Sequence, residues 1–388
     1  MNPPAATQGA EYRRSRTNLL AALILVAGTY IYFLLFAQLG FLQGIRASGL
    51  GPAAVKVVLA AMAAAGIAAS LSAPRVIFGF GRGVAMSLGL LLCASAAASA
   101  GFAFVSGVDG IGHLLIAAVG MGTGLGWATV GLAADLRRLT AGRDTGLCVG
   151  GGMGIAYFVS IIPAVYHAPP TTKAWICAIV AAAVIVLVGV SRGPQGGREA
   201  PDAGLVPPRW RSGRGLALAA AAFFALVWFD SAASAVRQLA PGAYAREWGD
   251  DLARWTTGSV HAVAAIIVGG WLDRGHIRAV LGVAFAMLVA GAFSFDATGF
   301  SGAFAAPVYV AGVSFYSTAL AAFAALAPAE EGRNSAAWRA AWLYAIAGWI
   351  GSAAGIGLAA QFGRLPIWAA PVAALIMATS WLAGKRSG

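Results

Sequence analysis

Charged residues are scarce in this chain. They make up 10% of its 388 residues, whereas hydrophobic residues make up 60%, and a soluble protein carries about 25% charged residues. The mean hydropathy is +0.78. A soluble chain this apolar could not cover its own core with polar groups, so the composition argues against a soluble domain. It predicts an all-α polytopic membrane protein with the lipid bilayer as its main surroundings.

Cysteine and histidine are also rare, with three and four copies. Cys93, Cys148 and Cys177 all fall in apolar segments, and none belongs to a CxxC pair, which argues against a disulfide framework or a zinc site. We interpret them as small packing residues. The sequence also lacks a nucleophile–base pair and a metal-ligand spacing, so it predicts neither an enzyme nor a bound cofactor or metal.

The N-terminus lacks the features of a removed signal peptide, which are a short apolar core and a small-residue cleavage site. The first apolar run, Leu19 to Leu42, is too long for such a core. We therefore expect this run to remain as the first transmembrane helix.

Long apolar runs are abundant, by contrast. A bilayer core about 30 Å thick needs about 20 apolar residues per helix. Runs of that kind lie near residues 18–42, 52–73, 84–106, 111–133, 146–166, 173–191, 215–238, 256–272, 279–296, 302–327, 338–361 and 365–384. The sequence therefore predicts about twelve transmembrane helices. The eighth run is short unless Arg254 and Trp255 begin it.

Basic residues outnumber acidic ones and give the chain a net charge of +12. They are spread over the loops between apolar runs, which argues against a nucleic-acid partner and fits the positive-inside rule. With the N-terminus inside, twelve spans place 19 of the 26 Lys and Arg residues on the cytoplasmic side. The other seven are Arg46, Lys56, Lys173, Arg237, Arg246, Arg254 and Arg364. This bias predicts that both termini are cytoplasmic, and a composition typical of a GC-rich bacterial genome predicts the inner membrane.

A polar segment rich in glycine, proline and arginine separates the runs into two groups of six. It predicts a flexible cytoplasmic linker at 191–214 between an N-terminal six-helix bundle, 1–190, and a C-terminal one, 215–388. The halves also match each other at an offset of about 200 residues, which is typical of transporters with internal repeats. The segment FAQLG at 36–40 then aligns with VRQLA at 236–240.

The segment GGWLDRGHIR, residues 269–278, partly follows the loop pattern GxxxDRxGRR, with His276 and Ile277 in place of Gly and Arg. This segment, the twelve spans and the two related halves resemble the major facilitator superfamily over nearly the whole chain. The resemblance implies a cytoplasmic latch that stabilises the outward-open state and is built from Asp273, Arg274 and Arg278. The alternative interpretation is a short turn held inside by its positive charges.

The same resemblance implies that spans one, four, seven and ten line a central cavity. Candidate substrate-binding side chains there are Tyr30, Gln38, Thr123, Trp127, Arg237, Ser314 and Tyr316. Aromatic, hydroxyl and amide groups suit a small polar organic solute. Each side chain could instead pack against a neighbour or face lipid, and Arg237 could be an ordinary residue that reaches to the membrane interface.

Two ionisable residues lie inside the apolar runs. Asp230 is about 16 residues into the seventh span, about 24 Å along the helix, where a carboxylate is costly to bury. His261 lies at a similar depth in the next span, so a direct contact between the two is geometrically feasible. Since histidine titrates near neutral pH and intramembrane acids mark proton pathways, we predict a proton-coupling site formed by Asp230 and His261. The alternatives are an aspartate that bonds a serine and a packed histidine.

These observations predict a monomeric secondary transporter that moves a small organic solute by alternating access, coupled to protons. Two alternatives remain. A membrane assembly or cofactor-delivery factor on the same fold would fit the incomplete loop pattern of the first half, where only Gly81 and Arg82 match. A copper importer would use His261, Met121 and soft ligands nearby, but copper(I) recruits several such ligands and the seventh span contains no methionine.

Overall fold

The computed structural model describes residues 5–106, 110–140, 144–191, 213–239, 250–294, 300–326 and 335–385. Every regular element in these ranges is a helix, which confirms the all-α prediction. The predicted linker, 191–214, lies almost wholly outside the described residues.

Among the described residues, twelve helices correspond to the twelve predicted spans. The first half contains α1 (Ala5–Ile31, continued by a π-helical stretch, Tyr32–Gly40, and by Phe41–Ala47), α2 (Pro52–Phe80), α3 (Arg82–Ser106), α4 (Ile111–Leu139), α5 (Thr145–Ile161) and α6 (Pro170–Val190). The second half contains α7 (Gly213–Leu239), α8 (Asp251–Asp273), α9 (Ile277–Ser294), α10 (Phe300–Leu326), α11 (Ala336–Leu343, continued by a π-helical stretch, Tyr344–Gly351, and by Ser352–Phe362) and α12 (Ala369–Lys385). Ten of these are long and apolar enough to cross a membrane, and α5 and α12 are shorter apolar helices.

Local sequence sets where several helices begin and end. Proline occupies the first turn of α2 and of α6, where its missing N–H costs no helical hydrogen bond. The Asp250 carboxylate accepts a hydrogen bond from the Ala253 N–H at 2.6 Å. This N-cap starts α8 before the predicted residue 256. Helices α2 and α11 end at Gly81 and Gly363, whose φ angles of 93° and 63° favour glycine.

Small residues form the contact between the two halves along α5 and α8. Three α5 glycines, Gly146, Gly150 and Gly154, lie against Gly269, Ala265 and Ala262 of α8. The helices are so close that a methyl group on any of these α5 glycines would press on the α8 backbone. Because lipid tails are as apolar as the helices, such close packing is the main source of helix association in a membrane.

The two ends of the bundle are joined by different kinds of contact. Where α8 ends, hereafter the Asp273 end, a buried cluster made mostly of alanine joins α2, α3 and α4 to α10 and α11. At the opposite end, hereafter the His167 end, polar contacts also join the halves. Arg46 donates to the Gln238 amide oxygen at 3.3 Å, and Arg254 contacts His167. Both ends are therefore joined across the halves, the Asp273 end by this apolar cluster and by the Asp273 side chain, and the His167 end by Arg46 and Arg254.

Candidate functional site

Asp230 lies in α7 between two tyrosines of α10. The Tyr316 hydroxyl donates to the Asp230 Oδ2 atom at 2.5 Å. The Tyr309 hydroxyl contacts Oδ1 of the same carboxylate and the Asp230 carbonyl oxygen, the latter at 3.1 Å. Because Tyr309 and Tyr316 are seven residues apart, they lie on one face of α10. The carboxylate is thus held by one hydroxyl at each oxygen, and we call these three residues the tyrosine clamp.

Arg237 reaches the tyrosine clamp from two turns further along α7. Its guanidinium group stacks over the Tyr309 ring, with the Cζ atom 3.5 Å from the ring centroid, and its Nε–H donates to the Ala233 carbonyl at 3.3 Å. A cation over an aromatic face is attracted by the ring quadrupole. Arg237 therefore folds back toward Asp230, and its role in substrate binding stays a prediction.

His261 belongs to a second cluster, which crosses between the halves. Its ring stacks on the Tyr157 ring of α5, with centroids 4.0 Å apart and planes 2° from parallel. The Tyr157 hydroxyl donates to the Ser317 hydroxyl at 3.0 Å. The His261 Nδ1 atom lies 2.7 Å from the Ser314 hydroxyl oxygen. His261 is buried, with 5% of its surface exposed.

The Ser314 hydroxyl lies within hydrogen-bond distance of two atoms of His261. It is 2.7 Å from Nδ1 and 3.2 Å from the His261 carbonyl oxygen. If the hydroxyl donates its one proton to the carbonyl, Nδ1 carries the ring hydrogen and donates to Ser314; if it donates to Nδ1, the ring hydrogen is on Nε2. None of the contacts among the described residues joins His261 directly to Asp230. The expected direct contact is therefore not made; Ser314, which contacts His261, and Tyr316, which contacts Asp230, both belong to α10.

A third polar contact joins the halves through tyrosines alone. The Tyr30 hydroxyl of α1 lies 3.0 Å from the Tyr344 hydroxyl of α11. Tyr344 begins the π-helical stretch of α11, and such irregular turns are frequent at functional sites. Tyr30 and Tyr316 are both close enough to Tyr157 to interact with it electrostatically. The tyrosine clamp, the His261 cluster and the Tyr30–Tyr344 pair therefore lie near one another. The aromatic residues Tyr157, Tyr309 and Tyr344 were not predicted, although the spacing to Tyr316 could have indicated Tyr309.

The remaining predicted cavity residues lie in the first half. The Trp127 Nε1–H donates to the Ser72 hydroxyl at 3.1 Å, which ties α4 to α2. Thr123 is half-buried and Gln38 is exposed. Neither makes a side-chain hydrogen bond to a residue that the structure describes, so their roles stay predictions.

The three predicted latch residues have different surroundings. The Asp273 carboxylate accepts hydrogen bonds from the Gly146 N–H at 2.6 Å and the Leu147 N–H at 2.8 Å. It therefore caps the first turn of α5 in the opposite half, where the helix dipole favours a negative charge. Arg274 donates to the Gly270 carbonyl of its own helix at 3.0 Å. Arg278 lines a cavity between α9 and α12, within the second half.

Comparison with known proteins gives a result only at the level of structure. No protein-family model matches the chain, and no curated protein sequence matches it. The fucose:proton symporter FucP of E. coli is similar in structure, with a TM-score of 0.63 at 14% identity, over 95% of this chain and 98% of that chain. The proton:xylose symporter XylE has a TM-score of 0.65 at 14% identity, over 95% of each chain.

The human organic anion transporter MFSD10 is also similar in structure, with a TM-score of 0.58 at 14% identity. The similarity covers 99% of this chain and 99% of that chain. Because these similarities cover nearly the whole chain, they show that the protein has the fold of the major facilitator superfamily. They confirm the fold that the loop segment and the twelve spans had indicated.

The tyrosine clamp can respond chemically to a proton. An ionised carboxylate only accepts hydrogen bonds, so both clamp tyrosines can donate to it at once. A protonated carboxyl group carries a donor in place of one acceptor site. The tyrosine that faces the protonated oxygen would then meet a weaker acceptor or would accept from it.

Proposed function

We propose that the protein is a secondary active transporter that moves a small polar organic solute across the membrane by alternating access, coupled to protons. The observation that carries this proposal is the carboxylate of Asp230 in the tyrosine clamp, inside an apolar bundle and beside groups of the opposite half. Proton symporters and an organic anion transporter have the same fold, which supports the proposal. We infer no enzymatic activity and no bound cofactor.

The solute binds between the halves, where Tyr30 and Tyr157 of the first half approach Tyr316 and Tyr344 of the second. Tyrosine offers an apolar ring face together with a hydroxyl group that donates and accepts. Ser314, Arg237 and the first-half residues Gln38, Thr123 and Trp127 are further candidates for contact. This combination suits a solute with several hydroxyl or other uncharged polar groups, and a sugar is the first class to test.

Asp230 is the group that we propose to carry the proton, and His261 modulates it through α10. When Asp230 is ionised, Tyr309 and Tyr316 both hold it, and α7 is fixed to α10. Protonation weakens one of these contacts and allows the two helices to shift. A solute that replaces the lost hydrogen bond would bind best to the protonated form, so solute and proton would move together.

We further propose that the Asp273 end faces the cytoplasm, since the positive-inside rule places most Lys and Arg residues there. In this orientation both termini are cytoplasmic. We also propose that the chain is a monomer in the inner membrane. In this orientation the alanine-rich cluster and Asp273 close the cytoplasmic side. The variants described below test whether Arg274 and Arg278 belong to the same latch as Asp273.

The test begins with thermal shift of the detergent-purified protein at about pH 5.5 and about pH 7.5, which bracket histidine titration. The panel contains sugars, organic anions, amines and amino acids. A stabilising solute is then added outside liposomes that contain the protein and an internal pH dye. We expect solute-dependent proton flux, and we expect Asp230→Asn to lower it at least about tenfold, since a charged hydrogen-bonded group is lost.

The matched control is Asp251→Asn, which removes a carboxylate that is 68% exposed at the His167 end. It should leave the coupled flux unchanged. Coupled flux that survives in Asp230→Asn would show that the proton role is wrong. If no solute in the panel binds and a second membrane protein co-purifies, the assembly-factor alternative replaces the transporter.

A further inference from the structure

A cavity of about 660 Å³ lies between α9 and α12 in the second half. Its lining includes Arg278, Gly282, Val283, Ala378, Trp381 and Leu382. The two helices make few direct contacts elsewhere, and the Trp381 ring reaches across to Gly282. We call this feature the α9–α12 groove. It lies apart from the tyrosine clamp and from the contact between the halves.

Two hydrogen-bond donors in the groove have no acceptor among the residues that the structure describes. These are the Nε–H of Arg278 and the indole Nε1–H of Trp381. Both atoms are shielded from solvent, and a buried donor that stays unpaired costs free energy. Because both atoms have almost no accessible surface, an acceptor in the groove would pair with them only after the two side chains turn toward it, and that pairing would remove the cost.

The walls of the groove change character with depth. Arg278 is in the first turn of α9 and Trp381 is in the last turns of α12, so both lie at the Asp273 end. Deeper along α12, Leu375 is 64% exposed, and Leu382 near the mouth is 61% exposed. A phospholipid has a negatively charged phosphate at the membrane surface and apolar chains below it. The groove has the complementary order, with Arg278 and the Trp381 ring at its mouth and apolar side chains below them.

We propose that the α9–α12 groove binds one anionic phospholipid, with its phosphate at Arg278 and Trp381. Arginine suits a phosphate because its planar guanidinium can donate two parallel hydrogen bonds. The acyl chains then run deeper along Val283 and Ala378 toward Leu375. The proposal gives Arg278 a function within the second half and separates it from the latch between the halves.

The experiment uses the full-length protein in detergent, with native mass spectrometry and thermal shift. Phosphatidylglycerol, phosphatidylcholine and inorganic phosphate are added separately to wild type, Arg278→Gln and Trp381→Phe. We expect phosphatidylglycerol to be retained and to stabilise wild type more than the other two additions. Arg278→Gln should lower its apparent affinity about fivefold, and Trp381→Phe should lower it less, since an aromatic ring remains although the N–H donor and part of the ring area are lost.

Arg82→Gln is the matched control, because Arg82 is an exposed arginine at the start of α3, the first-half counterpart of α9. It changes the net charge by the same amount and should leave lipid retention unchanged. Equal retention of phosphatidylglycerol by wild type and Arg278→Gln would overturn the proposal. Equal stabilisation by inorganic phosphate would also overturn it, because the site would then bind a soluble anion and not a lipid.

Discussion

In the first half of the molecule, α3 packs along α6, whereas in the second half the corresponding helices, α9 and α12, are separated by the groove. On α3, Gly101 lies against Ala174 and Trp175 of α6, and the Phe102 ring meets the Trp175 ring at 4.9 Å. Between α9 and α12, Trp381 reaches Gly282 beside a cavity of about 660 Å³. Two bundles of similar plan can therefore present different surfaces to lipid when a few small or aromatic residues differ.

The interior shows a related difference between the halves. The second half supplies the ionisable groups of the candidate site, Asp230 and His261, and most of the hydroxyl groups around them. The first half supplies the uncharged tyrosines Tyr30 and Tyr157. In the proposed mechanism, a proton taken up in the second half would influence the first half through hydroxyl and ring contacts such as Tyr157–Ser317 and Tyr30–Tyr344. The predictions below test this division of roles.

The largest effect is expected where the halves themselves touch. Gly150→Leu would place a side chain against the Ala265 carbonyl of α8, where even a methyl group does not fit. Because overpacking of a tight contact costs up to about 3 kcal/mol, we expect a lower melting temperature and loss of monodisperse protein in size-exclusion chromatography. Gly189→Leu is the control, since nothing lies within 4 Å of a Cβ at that position. Equal behaviour of both variants would show that α5 and α8 are not in tight contact.

The second-largest effect is expected at the tyrosine clamp, and it tests whether residues of the second half carry out the proton coupling. Tyr316→Phe removes the donor at the Asp230 Oδ2 atom and keeps the ring. Because a hydrogen bond to a charged group contributes about 1.5–3 kcal/mol, we expect coupled flux to fall at least about tenfold. The pH at which flux is half-maximal should also move, which a purely structural defect would not cause. An unchanged pH profile, measured in the same liposomes, would remove Tyr316 from the coupling mechanism.

The third effect concerns the latch and can be measured with a native cysteine. Cys148 lies in the first turn of α5, which Asp273 caps, and is 6% exposed. Loss of a cap costs about 1 kcal/mol, so Asp273→Ala should raise the labelling rate of Cys148 by a maleimide about fivefold. Cys93 and Cys177, which are fully buried, serve as internal controls for unfolding.

The same labelling assay separates the three predicted latch residues. Arg274→Gln and Arg278→Gln should change the rate less than Asp273→Ala, since their contacts lie within the second half. If all three variants open the Asp273 end equally, the latch implied by the family resemblance is complete. If Asp273→Ala has no effect, the carboxylate is only a local helix cap.

The sequence predicted the architecture better than the site, for a physical reason. Membrane helices need long apolar runs and basic residues in the loops on one side, and both are visible along a single chain. The site depends on which faces of distant helices meet. Asp230 was visible as a charge among apolar residues, but its partner Tyr309 resembles any buried aromatic residue. The depth of His261 suggested a contact with Asp230, yet helix rotation directs its ring to Tyr157 and Ser314.

The smallest effect is expected at the tyrosine pair that joins the halves. Tyr30→Phe removes the hydroxyl that meets Tyr344 at 3.0 Å and keeps the ring. Because a neutral hydrogen bond contributes about 1 kcal/mol, we expect solute affinity to fall at most about fivefold, with the pH dependence of flux unchanged. Tyr344→Phe should have the same effect, and the double variant should lose little more, since both changes break one bond. Additive losses in the double variant would instead mean that each hydroxyl contacts the solute independently, and a changed pH profile in Tyr30→Phe would place proton chemistry in the first half as well.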